Sequence, residues 1–229
     1  MSTHAAPVST GQAKLDLSVY LVADADTCNR IGADLPSIVA ASVAGGATCV
    51  QLRAKDAPGG AFVDLACEVA RVLPAHVPLL INDRVDVALA VRARGLPCAG
   101  VHVGQSDISV EDARALLGPD AIIGLSASTP EQLAAAVASP ARVDCVGIGP
   151  LHSTRTKLDA PDGLGHEAVA RLAAACPLPA VAIGGVTPED MPLLRAGGLQ
   201  GGAVVSYICC AEDPEAATRA LVTAWEGAR

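Results

Sequence analysis

The segment AGVHVGQSDISVEDARALL, residues 99–117, contains one complete strand–loop–helix unit of this chain. Residues 99–103 form a short apolar run with little polar alternation, which is typical of a strand buried on both faces of a parallel sheet. Ser109 then precedes an Ala/Leu-rich stretch, with Asp112 three residues further on, and this pattern indicates the start of a helix. The segment therefore predicts a buried strand that is followed closely by a helix.

Similar units recur along the whole chain. Strands are predicted at Leu17–Val22, Thr48–Arg53, Pro78–Ile81, Ala99–Val103, Ala121–Leu125, Val143–Ile148, Pro179–Ile183 and Gly202–Ser206. The segments Thr129-Pro130-Glu131 and Thr187-Pro188-Glu189 each place proline where a first helical turn accepts it. Alternating strands and helices predict an α/β fold, a single (β/α)8 TIM barrel, whose usual length is about 250 residues. A doubly wound open sheet is the alternative, but no GxGxxG motif follows the first strand.

Composition limits the classes of protein that this chain can represent. Of its 229 residues, 51% are hydrophobic and only 2% aromatic, and the net charge is −8. Such a chain is too apolar to be disordered, and its acidic balance argues against binding to nucleic acid. Its longest uncharged run, residues 35–52, contains proline, glycine and serine, so we expect no membrane span. We expect a cytoplasmic protein with a solvated tail at residues 1–16 and one domain at residues 17–229. A homo-oligomer is compatible with the sequence, which does not specify one.

The eight cysteines do not form a recognisable framework. They are scattered, mostly within apolar runs, and no CxxC or Cys/His zinc spacing is present. We therefore interpret them as small buried hydrophobic residues in a reducing compartment.

Polar residues follow the predicted second strand, where a barrel carries its active site. Alternation places Gln51, Arg53 and, if the strand continues, Lys55 on one side of this strand. An amide and two cations at a barrel mouth would suit a polyphosphate ester. A solvated strand end with surface cations is the alternative.

Carboxylates follow the third and fourth strands. Asp83 comes directly after Asn82, and Asp107 lies just beyond the fourth strand, so both are candidate ligands of Mg²⁺, which favours one or two carboxylates together with substrate phosphates. The alternative is that Asn82 is a turn residue and that both aspartates are helix caps. His102, within the apolar run of the fourth strand, is more simply a hydrogen-bonded core histidine than a ligand.

The later strands end in residues that suit phosphate binding. Ser126 comes directly after the predicted fifth strand, and a long loop at residues 149–161, rich in hydroxyls and cations, follows the sixth. The last two strands lie where barrels commonly bind a phosphate. Their ends carry Gly184-Gly185 and Val205-Ser206, respectively.

Six motifs in this order resemble the thiamine-phosphate synthase family. They are Gln51–Lys55, Ile81–Ala90, Val101–Asp107, Thr154–Lys157, Ala182–Gly185 and Ala203–Ser206. The resemblance spans about residues 17–215, and the ordered set is far more specific than any one motif. The chain departs from the family at Ala54, where Glu is common, and at Ser128, where His or Asn is common. It also departs at Tyr207, which replaces a small residue, and in a longer segment at residues 92–99.

The resemblance implies a Mg²⁺-dependent transferase with two small-molecule substrates. Its reaction would displace pyrophosphate from an aminopyrimidine by attack of a thiazole nitrogen. It implies that Arg53, Lys55 and Lys157 are catalytic, and that Gln51, Asn82 and Ser126 join these three in holding the pyrimidine diphosphate. It implies that Asp83 and Asp107 bind Mg²⁺. It further implies a thiazole-phosphate site formed by Thr154, Arg155, Thr156, Gly185, Val205 and Ser206.

Two other functions remain open at this point. A thiazole tautomerase-type isomerase with the same barrel would need neither the diphosphate cations nor paired metal carboxylates. A non-catalytic regulatory barrel would tolerate the loss of the metal ligands. The presence of all these residues together favours the transferase.

Overall fold

Eight parallel strands close into a barrel in the computed structural model, which describes residues 15–153 and 163–227. Each strand pairs with the next one in the chain, and β8 returns to pair with β1. The strands are β1 Val19–Asp24, β2 Cys49–Arg53, β3 Leu79–Asn82, β4 Gly100–Val103, β5 Ile122–Ser126, β6 Cys145–Ile148, β7 Ala180–Ile183 and β8 Gly201–Val204. The predicted TIM barrel is confirmed.

Helices surround the barrel, and most of them connect one strand to the next. Among the described residues they are α1 Ala25–Ile31, α2 Leu35–Ala44, α3 Gly59–Val72, α4 Val85–Ala93, α5 Val110–Leu117, α6 Pro130–Ala138, α7 Gly165–Ala174, α8 Met191–Ala196, α9 Ser206–Cys209 and α10 Pro214–Gly227. None of these described helices is long and apolar enough to cross a membrane.

Two of the predicted helix starts are confirmed in detail. The Ser109 side chain caps α5 and accepts a hydrogen bond from the backbone N–H of Asp112 at 3.0 Å. Thr129 caps α6 in the same way, with Pro130 as its first residue. Both caps satisfy backbone donors that a helix N-terminus otherwise leaves unpaired.

The predicted helix start at Thr187-Pro188-Glu189 is wrong. Residues 188–190 form a turn, and α8 begins at Met191. The Asp190 carboxylate accepts hydrogen bonds from the Thr187 backbone N–H at 2.8 Å and its hydroxyl at 3.1 Å. These contacts close the turn, and a proline in the first turn is provided by Pro192 instead.

The barrel interior is filled by a separate cluster of buried side chains. Its core consists of Leu17, Tyr20, Val22, Cys49, Leu80, Cys145, Val181 and Ala203. A larger cluster lies between the strands and the surrounding helices. Because the chain has only four aromatic residues, Tyr20 is the one large ring in the interior cluster, and aliphatic side chains fill the remaining space.

Four strand ends differ from the prediction. β3 and β5 each end one residue later than predicted, at Asn82 and Ser126. β1 continues two residues beyond Val22 and ends at Asp24, which brings this carboxylate to the barrel mouth. β8 ends at Val204, so Ser206 is the first residue of α9 and not the last residue of a strand. The division into a tail at 1–16 and a domain at 17–229 stays a prediction, and residues 1–14 lie outside the described residues.

All eight cysteines belong to the described part of the chain and are free thiols. Seven of them are buried, and Cys210 alone is exposed. This arrangement agrees with the interpretation of the cysteines as small core residues.

Candidate active site

Arg53 is held at the mouth of the barrel by an ion pair with Asp24. The two residues are register partners on β1 and β2, and the guanidinium donates to Asp24 Oδ2. Asp24 is 1% exposed and also caps α1, since its Oδ1 accepts from the Thr27 backbone N–H at 2.8 Å. Asp26 Oδ2 lies 3.9 Å from the same guanidinium. The guanidinium is thus oriented before any ligand binds.

Gln51 and Lys55 have different surroundings, although the sequence pattern groups them with Arg53. Gln51 is buried and donates to the Tyr20 hydroxyl at 2.9 Å within the barrel. β2 ends at Arg53 and does not continue to Lys55, so strand alternation does not place Lys55 on the inner side. Lys55 lies exposed in the following turn, where its backbone N–H donates to Asp26 Oδ2 at 3.2 Å.

Asp83 and Asp107 face one another beyond the ends of β3 and β4. The two carboxyl groups lie close enough for each to influence the protonation of the other. Burial, followed by the neighbouring Asp107, raises the pKa of Asp83 to about 6, although Asn82 and the positive charge of Arg53 partly oppose the change. Two carboxyl groups this close compete for one proton unless a cation lies between them.

The backbone at Asp83 explains how its carboxyl group reaches this position. Its φ of +60° lies in the left-handed region, which non-glycine residues seldom adopt. Its N–H donates to the His102 carbonyl at 2.9 Å, which extends the β3–β4 pairing by one residue. Strained backbone of this kind is concentrated at functional sites.

Neither aspartate is a helix cap, so that alternative is wrong. Arg84 is the N-cap residue of α4 and makes no side-chain capping bond. Ser109 caps α5, while Asp107 Oδ2 accepts from the Gly104 backbone N–H at 2.7 Å. Asp107 thus closes the turn that follows β4, and this turn directs its carboxylate toward Asp83.

His102 lies inside the barrel next to Ser126. The His102 Nε2 and Ser126 Oγ atoms are 3.2 Å apart, and burial lowers the pKa of the histidine to about 4. Glycine on β5 and β6 makes room for the ring, because a Cβ on Gly124 would lie 2.4 Å from His102 Nδ1 and one on Gly147 3.4 Å from Cε1. Nδ1 is the one buried side-chain polar atom of the described residues that has no hydrogen-bond partner.

The ends of β7 and β8 carry the remaining described candidates. Gly184 and Gly185 have φ values of +99° and +71°, and a Cβ on Gly184 would lie 2.6 Å from the Pro150 side chain. The segment after β6 runs beside them, with the His152 N–H donating to the Gly184 carbonyl at 2.9 Å. Val205 and Ser206 follow the adjacent strand β8. Thr154, Arg155, Thr156 and Lys157 lie outside the described residues.

The structure shows the surroundings of two of the departures from the family pattern, Ser128 and Tyr207. The Ser128 hydroxyl donates to the Gly149 carbonyl at 2.7 Å and accepts from the Gly149 N–H at 3.2 Å, which joins the segments after β5 and β6. Tyr207 lies on α9 and is 36% exposed, so its ring does not belong to the interior cluster.

Sequence reasoning missed Asp24 and Asp26. Its interpretation of His102 as a hydrogen-bonded core histidine is confirmed, since the residue is buried and its Nε2 lies 3.2 Å from Ser126 Oγ. A longer β1 would have revealed Asp24, since its alternation with Tyr20 and Val22 predicts an inward side chain. His102 lies two residues after the small inward residue Gly100 and opposite Gly124. This position could have predicted that its ring lies inside the barrel.

The fold and these side chains define a class of protein, a TIM-barrel enzyme that handles anions at the carboxyl ends of its strands. Similarity to known proteins agrees with this class.

The family model described as thiamine monophosphate synthase matches residues 19–208. The thiamine-phosphate synthase of Azorhizobium caulinodans is 46% identical over 215 residues, covering 93% of this chain and 97% of the relative. That of Xanthobacter autotrophicus is also 46% identical, covering 93% and 98%.

A solved structure extends the similarity to three dimensions. The thiamine phosphate pyrophosphorylase of Pyrococcus furiosus has a TM-score of 0.81 and 28% identity, covering 95% of this chain and 99% of that chain. The chain belongs to the thiamine monophosphate synthase family. It is a transferase, and its family is metal-dependent.

The described residues fit a hard divalent cation at the Asp83–Asp107 pair. Carboxylate oxygens are the ligands that Mg²⁺ prefers, and two of them commonly suffice when substrate phosphates complete the coordination. Burial is the main cause of the raised pKa of Asp83 and the neighbouring Asp107 adds to it, and a cation between the two carboxyl groups would relieve this second contribution.

Proposed function

We propose that this protein is a thiamine-phosphate synthase that joins a pyrimidine diphosphate to a thiazole phosphate. The reactants are 4-amino-2-methyl-5-(diphosphooxymethyl)pyrimidine and 4-methyl-5-(2-phosphooxyethyl)thiazole, or the carboxylated form of the latter. The observation that carries the proposal is the facing pair Asp83 and Asp107 at a barrel mouth, with the Arg53 charge acting on the same carboxyl group. The family assignment supports the choice of substrates.

Asp83 and Asp107 would hold Mg²⁺. When bound, the ion would neutralise negative charge on the diphosphate leaving group. We propose Mg²⁺ and not another divalent ion because the ligand set consists of oxygen atoms from two carboxylates.

Cations and amides would hold the pyrimidine diphosphate. Arg53 is oriented by Asp24, and its remaining N–H groups can bind phosphate oxygens bidentately. Lys55 is exposed on the turn after β2 and can approach the same anion. The resemblance assigns Lys157 to this site as well. Gln51, Asn82 and Ser126 would bind the pyrimidine and its diphosphate through side-chain hydrogen bonds.

The reaction needs charge stabilisation more than proton transfer. The carbon–oxygen bond to the diphosphate breaks and its electron pair leaves with pyrophosphate, while the electron-rich aminopyrimidine supports positive charge at the methylene carbon. The thiazole nitrogen then forms the new carbon–nitrogen bond with its free lone pair. No general base is required, and His102, with a pKa lowered to about 4, adds no positive charge near neutral pH.

The thiazole phosphate would bind at the ends of β6, β7 and β8. Gly185, with its left-handed backbone, can present its N–H to an anion, and Val205 and Ser206 lie on the neighbouring connection. Thr154, Arg155 and Thr156 complete this set through the resemblance. Holding both reactants in line would contribute an effective molarity of about 10⁵–10⁸ M.

A coupled product assay tests the proposal. The purified protein is supplied with both substrates and Mg²⁺, and pyrophosphate and thiamine phosphate are quantified. We expect equal amounts of the two products and no product in the presence of excess chelator. Isomerised thiazole without pyrophosphate would instead support the tautomerase alternative, and binding without any product would support a regulatory barrel.

We further propose that the protein acts in the cytoplasm, because its cysteines are free thiols, as in a reducing compartment.

A further inference from the structure

Two histidines and an aspartate converge on the side of the barrel mouth near β6 and β7. His152 lies in the segment after β6, His166 in the first turn of α7, and Asp190 in the turn before α8. The Asp190 Oδ1 atom lies 2.9 Å from His152 Nε2 and 2.8 Å from His166 Nε2. One potential ligand atom from each residue lies within 4.8 Å of the other two.

We propose that His152, His166 and Asp190 form a binding site for a divalent transition-metal ion of the zinc class. Two imidazole nitrogens and one carboxylate oxygen are a common ligand set for zinc, and they differ from the all-oxygen set of the Asp83–Asp107 pair. Zinc–nitrogen bonds of about 2.0 Å place tetrahedral ligands about 3.3 Å apart, so the Asp190 oxygen needs to separate from each histidine nitrogen by only a few tenths of an ångström.

Supporting contacts fix the ligands in place. The second Asp190 oxygen, Oδ2, accepts from both the N–H and the hydroxyl of Thr187, and Asp190 is 5% exposed. Fixed carboxylates of this kind are typical around metal sites, where a neighbouring hydrogen bond sets the ligand's orientation. The His152 and His166 rings are tilted by 70° with centroids 5.4 Å apart, so both edges point at the same carboxylate oxygen without stacking.

The site joins three segments that are distant in the sequence. A bound ion would connect the end of β6, the start of α7 and the β7–α8 connection. His152 also packs against Gly185, since a Cβ placed on that glycine would lie 3.0 Å from the His152 Cβ. Because the ion binds the folded arrangement, we expect the melting temperature to rise progressively as the free ion concentration exceeds the dissociation constant.

Metal titration of the full-length, tag-free protein tests this site. Zn²⁺ binding is measured by calorimetry, and Co²⁺ is used as a spectroscopic probe, since nitrogen and oxygen ligands in a tetrahedral site give visible d–d absorption. The protein carries Cys210→Ser throughout, because an exposed thiol can bind the same ions. We expect one bound ion per chain and a higher melting temperature with Zn²⁺ than without it.

Matched variants separate the site from adventitious binding. His152→Gln and His166→Gln should each weaken Zn²⁺ binding by about 10- to 100-fold or more and remove the Co²⁺ absorption. The control is His76→Gln, because His76 is exposed in the connection before β3, at the opposite end of the barrel, and its replacement should change nothing. Far-UV circular dichroism verifies that each variant is folded.

Two results would overturn the proposal. One is binding of equal strength and spectrum in the Cys210→Ser parent protein and in its His152→Gln and His166→Gln variants. The other is no Zn²⁺ binding at all, which would leave a hydrogen-bonded His–Asp–His cluster. The titration uses no substrate, so its failure is distinct from a failure of the proposed transferase activity. An Asp83→Asn, Asp107→Asn double variant should keep the zinc site intact.

Discussion

Replacing Asp24 by asparagine isolates the ion pair that orients Arg53. Asparagine is as good an N-cap as aspartate, so the hydrogen bond from Thr27 at the start of α1 is retained while the charge is lost. Arg53 is 19% exposed, so water can solvate its released charge in part. A hydrogen bond to a charged group contributes about 1.5–3 kcal/mol, and we expect Asp24→Asn to lower the free energy of unfolding by about 2 kcal/mol.

The same substitution should impair the proposed reaction. A guanidinium that is no longer fixed loses its alignment with the diphosphate, and a loss of about 1.4 kcal/mol in transition-state stabilisation corresponds to a tenfold lower kcat/KM. Because Arg53 belongs to the proposed diphosphate site, the KM for the pyrimidine diphosphate should rise while that for the thiazole phosphate changes little.

Urea denaturation followed by circular dichroism, together with pyrophosphate release, measures both effects. Asp34→Asn is the matched control, since Asp34 caps α2 by accepting from Ser37 N–H at 3.0 Å but is exposed and forms no ion pair in the described structure. The reasoning is refuted if Asp24→Asn and Asp34→Asn unfold within about 0.5 kcal/mol of each other and have the same kcat/KM.

Three further variants or treatments test other parts of the account. Asp83→Asn should lower kcat by about 100-fold or more in the product assay, because several kcal/mol of charge stabilisation depend on the metal. Gly124→Ala should destabilise the protein by about 1–3 kcal/mol in urea denaturation, because its Cβ would lie 2.4 Å from His102 Nδ1. A thiol reagent added to the native protein should modify one cysteine rapidly, Cys210, and the seven buried thiols only after unfolding.

Each of these tests has its own internal comparison. Asp86→Asn controls for Asp83, since Asp86 is exposed and paired with Arg84, and unchanged activity is expected. Gly60→Ala controls for Gly124, because no atom lies within 4 Å of the added Cβ and the site is helical. Equal loss of activity in both aspartate variants, equal stability of both glycine variants, or fast modification of several thiols would each contradict the corresponding argument.

The sequence was sufficient for the barrel because its strands are buried on both faces. Runs such as residues 121–125 and 179–183 are apolar throughout, and this pattern differs clearly from that of the intervening helices. The caps at Ser109 and Thr129 were predictable for a similar reason, since a cap depends only on residues within one turn.

Contacts between distant segments could not be predicted in this way. The turn at residues 187–190 is closed by an aspartate that also binds two histidines from other segments, and these tertiary contacts override the local preference of Thr187-Pro188 for a helix start. The ion pair joins Asp24 to Arg53, 29 residues further along the chain. Lys55 lies in a turn because β2 ends at Arg53 and does not continue to it. The polar strand ends identified the mouth of the barrel, but they did not reveal which side chains hold one another there.

We propose that Asp83 and Asp107 together bind the divalent cation of the active site. Manganese provides a direct test, since its electron paramagnetic resonance signal distinguishes free from bound ions, and it can be titrated with pyrophosphate present. We predict one bound ion per chain that Mg²⁺ displaces, and loss of this binding in the Asp83→Asn, Asp107→Asn double variant. Undiminished, Mg²⁺-displaceable binding of manganese to the double variant would contradict the claim.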